Sequence, residues 1–192
     1  FQDKTIDDVE DMRRAGQISS THKSVFKTID FPNSSGVFTH QNGTGTGLTE
    51  HFLARFTGYI KIPSAGAYQF HVSSDDGFRL RIANHIVAEH RTPRSYEETS
   101  ENFDFDGSGT YPKVVPIELL FYELAGEAGL RLEWTRPNTS KSLITEDYLL
   151  TSEERIQVAE EETRQIWIKA FDPAPDSSAY PIGFKVSSTA LP

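Results

Sequence analysis

The sequence predicts an all-β protein, an antiparallel β-sandwich with short peripheral helices, on three observations. Residues 67–72, 78–82 and 129–135 alternate apolar and polar side chains, which sets one face of each segment against a core. Clusters of Gly, Asn, Asp and Ser separate these segments at the short spacing of a sandwich. The chain has 192 residues and no cysteine, and a chain of that length buries a sizeable core without disulfides.

Residues 3–15, DKTIDDVEDMRRA, read as a helix. Its acids come early, Arg13 and Arg14 come late, and Gly16 ends it, as the helix dipole and the C-terminal preference for glycine favour. Residues 17–50 are rich in Gly, Ser and Thr and read as a polar loop. AYQFHV (67–72) sets Tyr68, Phe70 and Val72 against Ala67, Gln69 and His71. FRLRI (78–82) sets Phe78, Leu80 and Ile82 against Arg79 and Arg81. With residues 73–77 between them, the two read as a hairpin. Asn84 and His85 turn the chain into IVAEH, and residues 91–110 read as a polar stretch ending in FDFDGSG. VVPIELLFYEL (114–124) and GLRLEWT (129–135) are two more strands joined by AGEAG. Leu130, Leu132 and Trp134 share a face, which makes Trp134 a packing residue. In the tail, Thr151 and Glu154 form a capping box that opens an acidic helix over 151–165, followed by strands IWIKAFD and IGFKVSS. One domain over 1–192 is expected, with a core at about 50–150. Residues 1–49 would supply the N-terminal helix and loops, and 151–192 the C-terminal helix and extra strands.

The net charge is -9, which argues against nucleic acid and anionic lipid, since both select basic surfaces. An acidic surface suits metal cations. No apolar run approaches the ~18 residues of a membrane-spanning helix, so membrane insertion is not expected. No signal-peptide pattern opens the chain, and Phe1 reads as an excision point, so a monomeric module of a larger chain is expected. The absence of cysteine removes thiolate zinc sites and cysteine nucleophiles and fits large bacterial secreted proteins. The six histidines show no HxxxH or HExxH spacing, and neither GxSxG nor a P-loop occurs. Nothing selects a pair of glycosidase carboxylates among the many acids. An enzyme is therefore not expected.

Asp75-Asp76-Gly77 is a common hairpin-turn signal, yet it also sets two carboxylates side by side in apolar surroundings. From these residues alone, a turn and half of a metal site both remain open. Asp104, Asp106 and Ser108 lie at alternate positions and echo part of a calcium loop, without the third acid and terminal Glu of an EF-hand. They are a candidate secondary calcium site, with a plain polar loop as the competing reading. His90, Arg91, Arg94 and Tyr96 could reach a bound sugar if their segment lies near the acids, although a solvated loop is the simpler reading. Asn33, Asn42 and Asn138 begin glycosylation sequons.

FTGYIKIPSAGAYQFHVSSDDGFRLRIANHIV and GTYPKVVPIELLFYELAGEAGLRLEWTRP resemble the two halves of the PA-fourteen domain, the β-sandwich module named for anthrax protective antigen. The matching elements are a Gly-Tyr-Ile strand, Pro-x-x-Gly-x-Tyr-x-Phe, Ser-Asp-Asp-Gly, a Tyr-Pro element, a small-residue loop and Leu-x-Leu-x-Trp. The resemblance implies an antiparallel sandwich of that type. In the sugar-binding members, found in RTX-type bacterial surface adhesins and yeast flocculin-type adhesins, two adjacent Asp joined by a cis peptide hold Ca²⁺. The vicinal hydroxyls of a sugar then complete the calcium shell. Carried over, this implies Asp75 and Asp76 as metal ligands. Glu123 takes the side-chain position where relatives have Asn or Gln, and Ala125 and Glu127 offer carbonyls. The implied sugar contacts are Asp75, Asp76, Gly126, Glu127 and Ala128.

Neighbouring side chains of a strand point to opposite faces, so a cis bond is what would let both Asp reach one ion. Calcium accepts about 6–8 oxygens in flexible geometry, whereas Mg²⁺ wants a strict octahedron. The function implied is a calcium-dependent lectin module on a bacterial cell surface, extracellular and serving adhesion or biofilm formation. Its partners would be cell-surface glycans or monosaccharides of fucose-, mannose- or glucose-like type. The alternative is an accessory or structural domain of a glycosidase or toxin.

Overall fold

Strand burial in the computed structural model, which describes residues 4–18 and 23–151, sorts the chain into two stacked antiparallel sheets. The strands are β1 (Asp30–Ser35), β2 (Phe52–Ile62), β3 (Gly66–Asp75), β4 (Phe78–Ile82), β5 (His85–His90), β6 (Glu97–Phe105), β7 (Lys113–Glu123), β8 (Glu127–Thr135), β9 (Ser142–Leu143) and β10 (Leu149–Leu150). One sheet runs β1-β8-β3-β6, with β9 paired to β8, and the other runs β10-β2-β7-β4-β5. The expected helix and strands beyond Thr151 lie outside the described residues. An antiparallel β-sandwich is what the alternation predicted.

The inward faces meet in an aromatic core. Tyr68, Phe70 and Trp134 come from the first sheet and Phe121 and Phe52 from the second, and all are 6% exposed or less. Phe31 stacks on Phe38 at 4.2 Å between ring centroids. Trp134 packs edge-on against Tyr148, in the core role its alternation predicted.

β7 is apolar without interruption near its end because both of its faces are covered, as in strands buried between layers. Leu119 and Phe121 face the core. Leu120 and Tyr122 face outward under α1 (Ile6–Arg14), whose Ile6 and Val9 pack on them. The helix begins at Ile6 rather than at the predicted residue 3, because Thr5 is the cap: its side chain accepts from the Asp8 amide while Asp8 accepts from the Thr5 amide.

Three expectations are corrected. Residues 73–77 do not join a hairpin: β3 pairs with β6 and β8, while β4 pairs with β5 and β7, so the segment crosses from one sheet to the other. The stretch 91–110 is not all loop, because β6 runs along the edge beside β3. Its outer face meets solvent, so pairing there requires no apolar side chains. The loop 17–50 likewise contains β1, paired to β8. Asn84 does turn the chain into β5, with Ala83 and Asn84 at positive φ, as a tight two-residue hairpin requires.

The strand registers bring four sheet-to-sheet connections to one end of the sandwich: 35–52, 75–78, 90–97 and 123–127. Asp75 lies opposite Gly129, Ser74 opposite Glu97, and Phe52 opposite Glu123.

Candidate metal centre

At that end, Asp75, Asp76 and Glu123 each present an oxygen within 4.8 Å of the others, the one such group of three or more acidic or histidine ligands among the described residues. The Asp75-Asp76 peptide is cis, and both side chains lie in this one cluster. The Tyr111-Pro112 bond is also cis, at the entry to β7.

Asp76 is held from two sides. The Leu124 amide donates to its Oδ2 at 2.9 Å, and the Arg94 amide donates to its Oδ1 at 3.0 Å. Ser74 Oγ donates to the Asp76 carbonyl at 2.6 Å and accepts from Arg94 Nη2 at 2.9 Å. The Tyr96 amide and the Asn33 side chain lie near Asp75 and favour its charge. Asn33 Nδ2 donates to Glu127 at 2.7 Å.

Glu123 is different. It is fully buried, and neither of its carboxylate oxygens has a hydrogen-bond partner. The Asp76 amide approaches it and favours its charge without reaching hydrogen-bond geometry. Asn33 Oδ1 is a second buried acceptor with no partner. Buried acceptors without donors are costly, and the Glu123 carboxylate is grouped with the two Asp.

The electrostatics follow from this crowding. Burial, then the charge of Asp76 and Asp75, pushes Glu123 up to about 8. Burial, then the charges of Asp76 and Glu127, raises Asp75 to about 6. Burial also raises Asp76, against the pull of its two amides.

Two glycines permit the geometry by lacking a side chain. A Cβ on Gly77 would lie 2.4 Å from the Tyr122 ring and 2.9 Å from the His90 carbonyl. A Cβ on Gly129 would lie 2.7 Å from Asn33 Cα. Gly77→Ala is therefore expected to cost about 1–3 kcal/mol by overpacking, read as a lower midpoint in urea unfolding. An unchanged midpoint would show that Tyr122 moves aside freely.

The other predicted residues are distributed as follows. Ala125 and Gly126 form the exposed turn between Glu123 and Glu127, with Gly126 at φ 113. Glu127 faces Asn33 at the rim, and its charge acts on Asp75. The Ala128 side chain is 1% exposed in the core, so it offers packing rather than a side-chain contact. Asp104 and Asp106 do not join a third acid: Asp104 is exposed opposite Ala67 on β6, and Asp106 pairs with Lys113 at 3.0 Å. The segment with Arg94 and Tyr96 is a largely exposed loop, as expected, yet its Arg94 amide holds Asp76. Asn33 was readable only as a sequon.

A sequence profile of the PA14 domain, the PA-fourteen family, matches residues 19–148. No curated protein sequence matches the chain significantly. Among solved structures, one described as the PA14 sugar-binding domain from an RTX adhesin superposes with a TM-score of 0.64 at 20% identity, covering 78% of this chain and 88% of that one. The PA14 domain of the antifreeze protein MpAFP gives 0.60 at 17% identity, over 77% and 83%. The A domain of epithelial adhesin 6 from Candida glabrata, solved with Galβ1-3GlcNAc, gives 0.50 at 16%, over 65% of each chain. At these identities the likeness is one of fold.

Proposed function

The chain belongs to the PA14 domain family, and we propose that it is a non-catalytic, calcium-dependent carbohydrate-binding module of an extracellular bacterial adhesin. The observation that carries this reading is Glu123: a buried carboxylate with no hydrogen-bond partner, facing Asp75 and Asp76. Only a cation relieves that arrangement while all three acids are ionised. The ligand group is all carboxylate oxygen, with no imidazole or thiolate, which fits calcium.

Asp75, Asp76 and Glu123 would hold the ion through their side chains, with the carbonyls of Ala125 and Glu127 as further ligands. Bound Ca²⁺ would offer open coordination positions to vicinal hydroxyls of a sugar. The chain's own residues do the rest. Two amides fix the Asp76 carboxylate, and Asn33 ties the Glu127 rim to the β1 edge. The turn at 125–126 is exposed, and Asp75 is the one acid of the three that is only half-buried. The Candida glabrata relative was solved with a galactose-containing disaccharide, so galactose-type ligands join the fucose-, mannose- and glucose-like ones as candidates. The proposed unit is one lectin domain whose core includes residues 50–150.

The test is glycan-array binding with calcium and with EDTA, for the parent chain and Asp75→Ala. Binding in calcium that is lost in EDTA, and lost at least 100-fold in the variant, supports the proposal. Binding that survives both removes it.

A further inference from the structure

We infer that helix α1, which lies outside the residues matched by the family profile, is a working part of the site, with Tyr122 as the positioning residue that links them. The inference rests on the calcium reading above, and its mechanism is main-chain placement of the two amides that grip Asp76.

The helix is fastened to the outer face of the second sheet. Ile6 and Val9 are fully buried against Leu120 and Tyr122. Beside them, the buried guanidinium of Arg79 donates to Glu10 at 2.7 Å and to Asp7 at 2.6 Å. Arg81 reaches Glu10 at 3.2 Å, and Arg91 pairs with Asp7. Apolar contact and charge thus fix both the position of the helix and its rotation.

From the start of the helix, two routes lead to Asp76. The Ile6 amide donates to the Arg91 carbonyl at 2.8 Å. Three residues on, the Arg94 amide holds Asp76 Oδ1. The Tyr122 hydroxyl donates to the Lys4 carbonyl at 3.0 Å, with the Arg91 carbonyl at 3.4 Å. Two residues on, the Leu124 amide holds Asp76 Oδ2, and Glu123 lies between. The Tyr122 ring also fills the space a side chain at Gly77 would need, so it bears on the segment just after Asp76.

Each amide that grips Asp76 therefore belongs to a segment anchored to the entry of α1. A cation binds more tightly when its ligands are already placed, and three crowded acids, two of them buried, repel one another in the empty site. The helix opposes that spreading through β7 and the 91–96 segment. A helix that merely covered Leu120 and Tyr122 would add stability without changing calcium affinity.

The experiment uses the full chain and two substitutions. Tyr122→Phe keeps the ring and removes the hydroxyl. Val9→Ala loosens the helix and touches no acid of the site. Phe105→Leu, in the core at the other end of β6, serves as a control for general destabilisation. Calcium Kd is read by titration calorimetry, and amide hydrogen exchange at Arg94 and Leu124 is read in chelator against the β3–β6 amides. Both test variants are expected to weaken calcium binding roughly tenfold and to speed exchange at Arg94 and Leu124, while Phe105→Leu lowers Tm and leaves Kd unchanged. Unchanged Kd and unchanged local exchange in both variants would overturn the inference. A parent chain that binds no calcium would defeat the calcium reading and the inference's role in affinity, while the exchange arm would still show whether the helix braces the two amides.

Discussion

In chelator at pH 8, Glu123→Gln is expected to melt above the parent chain, and in saturating calcium the order is expected to reverse. Glu123 is fully buried without a hydrogen-bond partner, and burial with the two neighbouring charges lifts it to about 8. Folding raises this pKa, so the metal-free chain keeps the full contribution below the ordinary Glu value and loses it as pH climbs through about 8. One pKa unit is about 1.4 kcal/mol, and after discounting for relaxation the neutral amide should recover roughly 2–3 kcal/mol at pH 8. For a domain of this size that is roughly 5–10 °C in Tm. The advantage should fade toward pH 5, where the parent's Glu123 is already protonated when folded. Calcium at a thousand times its Kd stabilises the parent by about 4.1 kcal/mol, more than the variant's advantage in chelator, and the variant gains little because one of its three carboxylates is gone. Scanning calorimetry with and without calcium reads both halves. A variant that melts below the parent in chelator at pH 8 would mean that Glu123 serves as a structural acceptor instead.

The parts of the fold that were legible are those where burial imposes a period. Tyr68-Phe70-Val72, Phe78-Leu80-Ile82 and Leu130-Leu132-Trp134 all point inward as their alternation requires. The hairpin reading of residues 73–77 failed for a physical reason. A turn signal between two alternating segments looks the same whether the chain folds back in one sheet or crosses to the other. The distinction lies in what Gly77 packs against, and Tyr122 is 45 positions away in sequence. β6 escaped notice because an edge strand satisfies its backbone with β3 on one side and leaves its outer side chains in water, so EETSENF carries no apolar face.

The site was legible in a different way. Nothing in the composition pairs Asp75 and Asp76 with Glu123; the resemblance did, and the structure gathers the three. What side-chain patterns could not reveal are main-chain donors, so the amides of Arg94 and Leu124 went unread. Asn33 was missed because its place depends on the β1–β8 register, which sets Ser34 opposite Ala128. Arg79 shows the converse. Alternation put it outward in solvent, but the acids of α1 cover it, so it is buried on the outer face.

Between pH 8 and pH 5, the apparent calcium affinity is expected to fall on the order of a thousandfold. Asp75 lies at about 6 and Glu123 at about 8 in the metal-free site, and Asp76 is raised as well. A cation must displace whatever protons the group holds, so affinity rises with pH until the last of them has left. Exposed carboxylates near their ordinary values would give an almost flat profile over the same range. Calorimetry near pH 6.5 in buffers of different ionisation enthalpy should show about one proton released per calcium. A flat affinity from pH 8 to pH 6 would mean that the three acids do not share a low-dielectric site. The two arms of the profile are separable through Glu127. Its charge helps raise Asp75, while its proposed ligand is the main-chain carbonyl, which substitution spares. Glu127→Gln should therefore move the lower arm to more acid pH and leave the upper arm, set by Glu123, where it is.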